Sequence, residues 1–216
     1  MNIPFTQTEF KQVFSIYNEA IWPIQIIAYI LAVIVIILIL KRTKTSNMII
    51  CMILSAYWVL AGVGYHIMFF NAINPAAYAF GALFIIQGQL FLLLGMSTEM
   101  LQFGYEKGIA LCAGLVLVTY SMIIYPLFGI LFGHAYPEAP VFGVAPCPIT
   151  IFTFGILLLT IRRIPRYLLI IPVIWSLIGF TAAFKLGIYQ DFGLPVSAFI
   201  AVLLILKKIQ FTLDEQ

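Results

Sequence analysis

The sequence predicts an all-α, polytopic membrane protein. Three observations carry that prediction: only 9% of the residues are charged, 63% are hydrophobic, and the mean hydropathy is +1.11. A soluble domain carries about 25% charged residues, enough to cover its surface with groups that hold water. This chain lacks that charge. Its apolar residues fall in runs close to the roughly 20 residues that a helix needs to cross a bilayer. The net charge of +3 is no nucleic-acid signal, because Lys and Arg stand at the ends of those runs. The lipid bilayer is the expected partner, nucleic acid is not, and residues 1–216 read as one membrane domain.

Thr6-Gln7-Thr8-Glu9 has capping-box form, a hydroxyl followed three residues later by a carboxylate. Phe10, Val13, Phe14 and Tyr17 follow at helical spacing. Residues 6–19 therefore read as an amphipathic helix, either lying on the membrane surface or extending the first span. No basic start precedes the late apolar run, so a cleaved signal is not expected. Spans are predicted at 22–40, 48–70, 76–97, 109–132, 149–161, 167–186 and 194–206, the fifth and seventh short. Pro23 fits a first turn, Pro126 predicts a kink, and residues 71–75 predict a tight turn. The prolines and glycines of 133–148 exclude a regular helix and predict a long outer loop.

Orientation follows from the basic residues. With the N-terminus outside, the inner segments hold nine: Lys41, Arg42, Lys44, Lys107, Arg162, Arg163, Arg166, Lys207 and Lys208. The outer segments hold two, Lys11 and Lys185. That bias predicts seven spans, N-terminus out and C-terminus in. Cys147 then lies outside and Cys51 and Cys112 inside, too far apart to pair.

The first three spans echo the last three. Trp22-Pro23 matches Cys147-Pro148, Lys41-Arg42 matches Arg162-Arg163, Trp58 with Gly62 matches Trp175 with Gly179, and Pro75 matches Pro195. The echo is either a parallel repeat or coincidence. In topology alone, a 3+1+3 plan resembles the SWEET sugar transporters.

An ionisable group inside a bilayer costs about 2.5–3.5 kcal/mol on insertion scales, which singles out His66. It lies one turn beyond Gly62 on the same face, and it is read either as a gate or ligand residue opening outward, or as an interfacial structural histidine. In the first reading, His66 borders a polar outer cavity with His134 or Tyr136, under a cover formed by Asn71, Asn74 and the loop residues Glu138 and Cys147. Thr150 sits at the entry of the fifth span, where a hydroxyl caps the helix or attracts an anion. Gln87 and Gln89 face opposite ways and suit interhelical bonding. Lys185 is expected to snorkel and to pair with Asp191 or a headgroup. Two histidines and one thiol at irregular spacing make no metal site, and no cofactor is expected. The spans as drawn hold no carboxylate, so no catalytic residues are assigned and no enzyme is expected.

Asn18-Glu19-Ala20-Ile21-Trp22-Pro23, Asn74-Pro75-Ala76-Ala77 with Phe80-Gly81-Ala82-Leu83-Phe84, and Gly133-His134 through Pro146-Cys147-Pro148 with Thr150-Ile151-Phe152-Thr153 resemble an uncharacterised family of small bacterial membrane proteins, a domain of unknown function. That resemblance implies a bacterial inner-membrane location and carries no active site with it. The function expected is passage of a small solute or ion as a transporter or channel. The alternative is a non-catalytic accessory or assembly subunit of a membrane complex. A homo-oligomer or a membrane partner stays open.

Overall fold

The computed structural model describes residues 4–97, 100–162 and 164–214, with the backbone alone for 208–214. Arg163 and the Lys208 side chain, both counted in the charge asymmetry, lie outside the described residues. The described residues form helices joined by turns and loops, without a strand. Helix α1 (Gln7–Ala20) opens with the expected capping box: Thr6 accepts from the Glu9 backbone N–H while Glu9 accepts from Thr6 N at 2.7 Å. A turn at residues 21–23 separates α1 from α2 (Ile24–Lys41), so α1 does not extend the first span.

Helix α2 buries Ala28, Ala32, Val35 and Ile39 and exposes Ile26, Ile30, Val33 and Ile37. In water that apolar face would be costly; in a bilayer it is the surface lipid requires. Helix α3 (Lys44–Leu60) runs on through a π-helical segment (Ala61–Phe69) and a 3-10 turn (Phe70–Ala72) before α4 (Ala77–Met96). Next come α5 (Ile109–Thr119), a second π segment (Tyr120–Ile124) and α6 (Tyr125–Leu131). The expected kink at Pro126 is taken up by that π segment, whose wider turn accommodates the missing N–H. Helix α7 (Pro146–Leu158), α8 (Ile170–Leu186) and α9 (Gly193–Asp214) complete the bundle.

Six helical stretches among the described residues are long and apolar enough to cross a membrane: Ile24–Lys41, Lys44–Ala72, Ala77–Met96, Ile109–Leu131, Arg166–Leu186 and Tyr189–Lys207. The last is longer than the short seventh span expected. Helix α7, the expected fifth span, begins earlier and ends sooner than predicted. At 13 residues it is as long as the predicted span and shorter than those six stretches, and every residue in it but Cys147 is buried. A helix apolar on all sides belongs inside a bundle, and α7 packs against α3, α5, α8 and α9.

Small residues set the closest helix approaches. Gly81, Gly88 and Gly95 recur at heptad spacing along α4 and face α3 and the π segment. A Cβ at Gly81 would stand 2.9 Å from Gly62 O, and one at Gly88 would stand 3.0 Å from Ser55 O. Gly114 of α5 and Gly155 of α7 meet reciprocally, each Cβ position 3.0 Å from the other's carbonyl oxygen.

The two ends of the bundle differ. At one end the chain around 101–105 pairs with 159–161. Gly104 N donates to Leu159 O at 2.9 Å, Ile161 N to Gln102 O at 2.8 Å, and Phe103 N to the Asn47 side chain at 3.0 Å. Arg42 closes over the Tyr105 ring at 4.1 Å. At the other end α1 lies across the bundle. Tyr17 donates to Val144 O at 3.0 Å, and Asn18 donates to Pro137 O at 2.7 Å and Ala139 O at 2.9 Å.

Candidate functional site

Beneath α1 lies a cavity of about 660 Å³. Its upper wall is Phe5, Phe10 and Phe14, the apolar face of the N-terminal segment. Its sides are Tyr65 and Phe70 of the first π segment and the turn that follows it, Phe80 of α4, and α8 from Trp175 to Lys185. At about 1.5 Å per residue, Trp175 stands some 16 Å below the end of α8, so the cavity reaches deep into the bundle.

Polar groups gather on Asp191, which is 3% exposed and lines the cavity with Cys147. Tyr125 O–H donates to Asp191 Oδ1, and the Cys147 thiol lies beside the same carboxyl. Trp175, 7% exposed, turns its indole N–H toward the Cys147 sulfur and has no acceptor at hydrogen-bond geometry among the described residues. Gly179 leaves room here: its absent Cβ would stand 3.6 Å from Cys147 Sγ and 3.7 Å from Trp175 Nε1.

Local chemistry explains how Asp191 comes inward. Gly187 ends α8 in the left-handed conformation at φ 68, where glycine meets no Cβ penalty. The chain then turns through Tyr189–Phe192 before α9, with Asp191 N donating to Ile188 O at 3.1 Å. The π segments supply the aromatic partners. A π turn bonds i to i+5, so residues five apart share a face. Tyr120 and Tyr125 both reach the turn, Tyr120 donating to Gln190 O at 2.7 Å. Tyr65 and Phe70 stack at 5.3 Å and both face the cavity.

Residues 7–214 match the model of DUF6064, a family of unknown function. The chain belongs to that family. No curated protein and no solved structure matches it. The likeness to SWEET transporters finds no support in the packing of this DUF6064 chain. Helices α2 and α4 flank α3, whereas α7, α8 and α9 each pack against the other two.

The residues singled out from the sequence separate into three places. Cys147 and Asn74 line the cavity, and Asn74 Oδ1 also accepts from Ala76 N at 3.1 Å. His66 stands one layer behind. It is 0% exposed, with ring centroids 4.9 Å from both Phe84 and Trp175, and neither nitrogen has a partner among the described residues. It does not border the cavity with His134 or Tyr136, because the rings of Phe80 and Trp175 come between. His134, Tyr136 and Glu138 lie away from the cavity. Tyr136 and Glu138 are exposed, while His134 is 4% exposed and its pKa is held below 6.5, first by burial and then by Lys11, with Glu138 opposing. Asn71 donates to Ile67 O, and Thr150 donates to Pro146 O at 2.9 Å, so both satisfy their own helix.

Lys185 is exposed at the cavity rim, as snorkelling requires, and no ion pair joins it to Asp191 among the described residues, which leaves the headgroup of the two expected partners. The bundle does hold a buried carboxyl, Asp191, in the turn Tyr189–Phe192 between α8 and α9, outside the spans expected from the sequence. The loop 133–148 acts as a plug as well as a cover. Its second half runs inside, with Phe142 packed on Tyr29 and Phe152, and the cover is shared with α1. Cys51, Cys112 and Cys147 are free thiols.

Proposed function

We propose that this chain is a small-solute transporter of the bacterial inner membrane. In this reading it crosses the bilayer seven times, α7 included, with its N-terminus outside, and the cavity under α1 is its outward-facing binding site. The observation that carries the reading is the cavity of about 660 Å³ leading down to Asp191. A carboxyl kept inside a bundle against its desolvation cost marks a functional site by default. The closed opposite end, held by the pairing of 101–105 with 159–161, suits one state of an alternating-access cycle. An open ion pore fits poorly, since α7 fills the bundle axis with buried apolar residues.

The test is retention of solutes by proteoliposomes offered a small-metabolite extract, read by mass spectrometry. A compound retained with the native chain and lost with Asp191→Asn supports transport. Equal retention by empty liposomes, native protein and variant counts against it. An accessory subunit is the second reading, favoured by an apolar groove of about 340 Å³ between α8 and α9. A stoichiometric membrane complex that survives purification and is lost with Phe199→Ala would favour that role.

A further inference from the structure

We infer that the cavity selects hydrophobic organic cations, held against the Asp191 carboxylate by charge and against its walls by aromatic rings. The inference rests on the transport reading and gives it a substrate class.

The charge around Asp191 is incomplete. Among the described residues, the titratable groups that face it are Tyr125 of α6, Cys147 of α7, Tyr65 of the first π segment and Tyr120 of the second. All are neutral acids, and none supplies a positive charge. Lys185, the cationic residue of the lining, is exposed at the rim, where its ammonium reaches water. A bare carboxylate away from water is costly unless it is neutralised by a proton or paired with a cation. The cavity above it is free to hold that cation.

The walls fit the same ligand. Phe10, Phe14, Phe70, Phe80 and Trp175 surround the space above the carboxyl. Aromatic faces attract cations within about 6 Å of the ring centroid, and more strongly where water is excluded. A sugar or other polyhydroxyl solute would leave its hydroxyls unpaired against such walls. An anion would meet Asp191 with like charge. A weakly hydrated cation carrying alkyl or aryl groups satisfies both the carboxyl and the rings.

The proton balance follows. Where Asp191 holds a proton in the empty cavity, the arriving cation displaces it: the O–H bond breaks, the carboxylate pairs with the cation, and the proton passes to solution. Where Asp191 is already ionised none is released, so binding releases at most one proton per cation.

The experiment uses the full chain in detergent with Cys51→Ser and Cys112→Ser, so that alkylation of Cys147 by N-ethylmaleimide reports occupancy. Three probes of matched shape are phenyltrimethylammonium, the neutral tert-butylbenzene and the anion benzenesulfonate. Phenyltrimethylammonium is expected to slow alkylation at least tenfold and to release no more than one proton, read with a pH indicator in weak buffer. Asp191→Asn should abolish protection by the cation and keep protection by tert-butylbenzene, which also shows that the variant is folded. Asp191→Glu should retain protection by the cation. Equal protection by all three probes, or cation protection that survives Asp191→Asn, would overturn the cation inference and leave the cavity standing. Failure of N-ethylmaleimide to reach Cys147 at all would overturn the cavity reading and the inference with it.

Discussion

His66 sits where an imidazole gains least. Its nitrogens find no partner among the described residues, and five aromatic rings approach it within about 6 Å (Tyr65, Phe70, Phe80, Phe84 and Trp175). An unpaired buried donor costs about 1–3 kcal/mol, so removing it with its volume kept is neutral or stabilising. His66→Leu should therefore hold or raise the melting temperature in detergent, read by scanning fluorimetry. His66→Ala should lose about 2–4 kcal/mol by opening a void among those rings. A loss with His66→Leu as large as with His66→Ala would reveal a polar partner for the imidazole. His134 gives the opposite lesson, since charged side chains stand near it. Burial and Lys11 hold its pKa below 6.5 in the fold, so the folded chain takes up this proton less readily than the unfolded one. The stability from neutral His134 is complete above about pH 6.5 and is lost as pH falls through the folded value. The melting temperature should drop between pH 7.5 and pH 5, and His134→Gln should flatten part of that slope.

The helices were legible because the bilayer demands long apolar runs, and α2, α3, α4 and α8 lie where those runs lie. The site was not legible, and the two π segments give the physical reason. Sequence reading assumes residues three and four apart share a face. Tyr65 with Phe70, and Tyr120 with Tyr125, are five apart and share one only where the helix widens. Asp191 escaped for a related reason: it follows Gly187 in a stretch that reads as loop, and only the left-handed cap folds it back inside. Cys147, Asn74 and the capping box, whose positions depend on local chemistry, were found. The glycines carry a further signal of close helix approach. Gly114 and Gly155 touch backbone to backbone, and a Cβ on Gly155 would also stand 3.0 Å from Val118 N, which cannot swing away as a side chain can. Gly155→Ala should cost about 1–3 kcal/mol by overpacking. Gly114→Ala with Gly155→Ala should cost less than the sum, since the first substitution already parts the helices that the second would part. Additive losses in thermal stability would show that the two glycines do not share one contact. Ala82→Leu, on the exposed face of α4, is the tolerated control.

At the scale of the molecule, the chain puts its polar chemistry at one end and its backbone pairing at the other. Which end faces the cytoplasm decides what the cavity can meet. Lys41, Arg42, Lys44 and Lys107 lie on the end closed by Phe103 and Thr160, with Arg42 itself donating to Tyr105 O at 2.5 Å. Lys11 and Lys185 lie on the cavity end, Lys11 donating to Gly133 O at 3.2 Å. Positively charged segments stay on the cytoplasmic side, because translocating them is disfavoured. The orientation we propose puts the closed end inside and the cavity outside. Single cysteines introduced as Lys44→Cys, Lys107→Cys and Lys185→Cys, each in a background lacking the native thiols, test it with an impermeant maleimide. In intact spheroplasts Lys185→Cys should label while Lys44→Cys and Lys107→Cys should not, and in inverted vesicles the pattern should reverse. Removing Arg42 as well as Lys44 should weaken the pattern without inverting it, because Lys107 and the Arg162–Arg166 segment hold the same side. Labelling of Lys44→Cys and Lys185→Cys from the same face would mean that α3, α4, α5 with α6, α7 and α8 together do not make the expected five crossings. Helix α7, short enough to be enclosed without crossing, would then be the element to reassign.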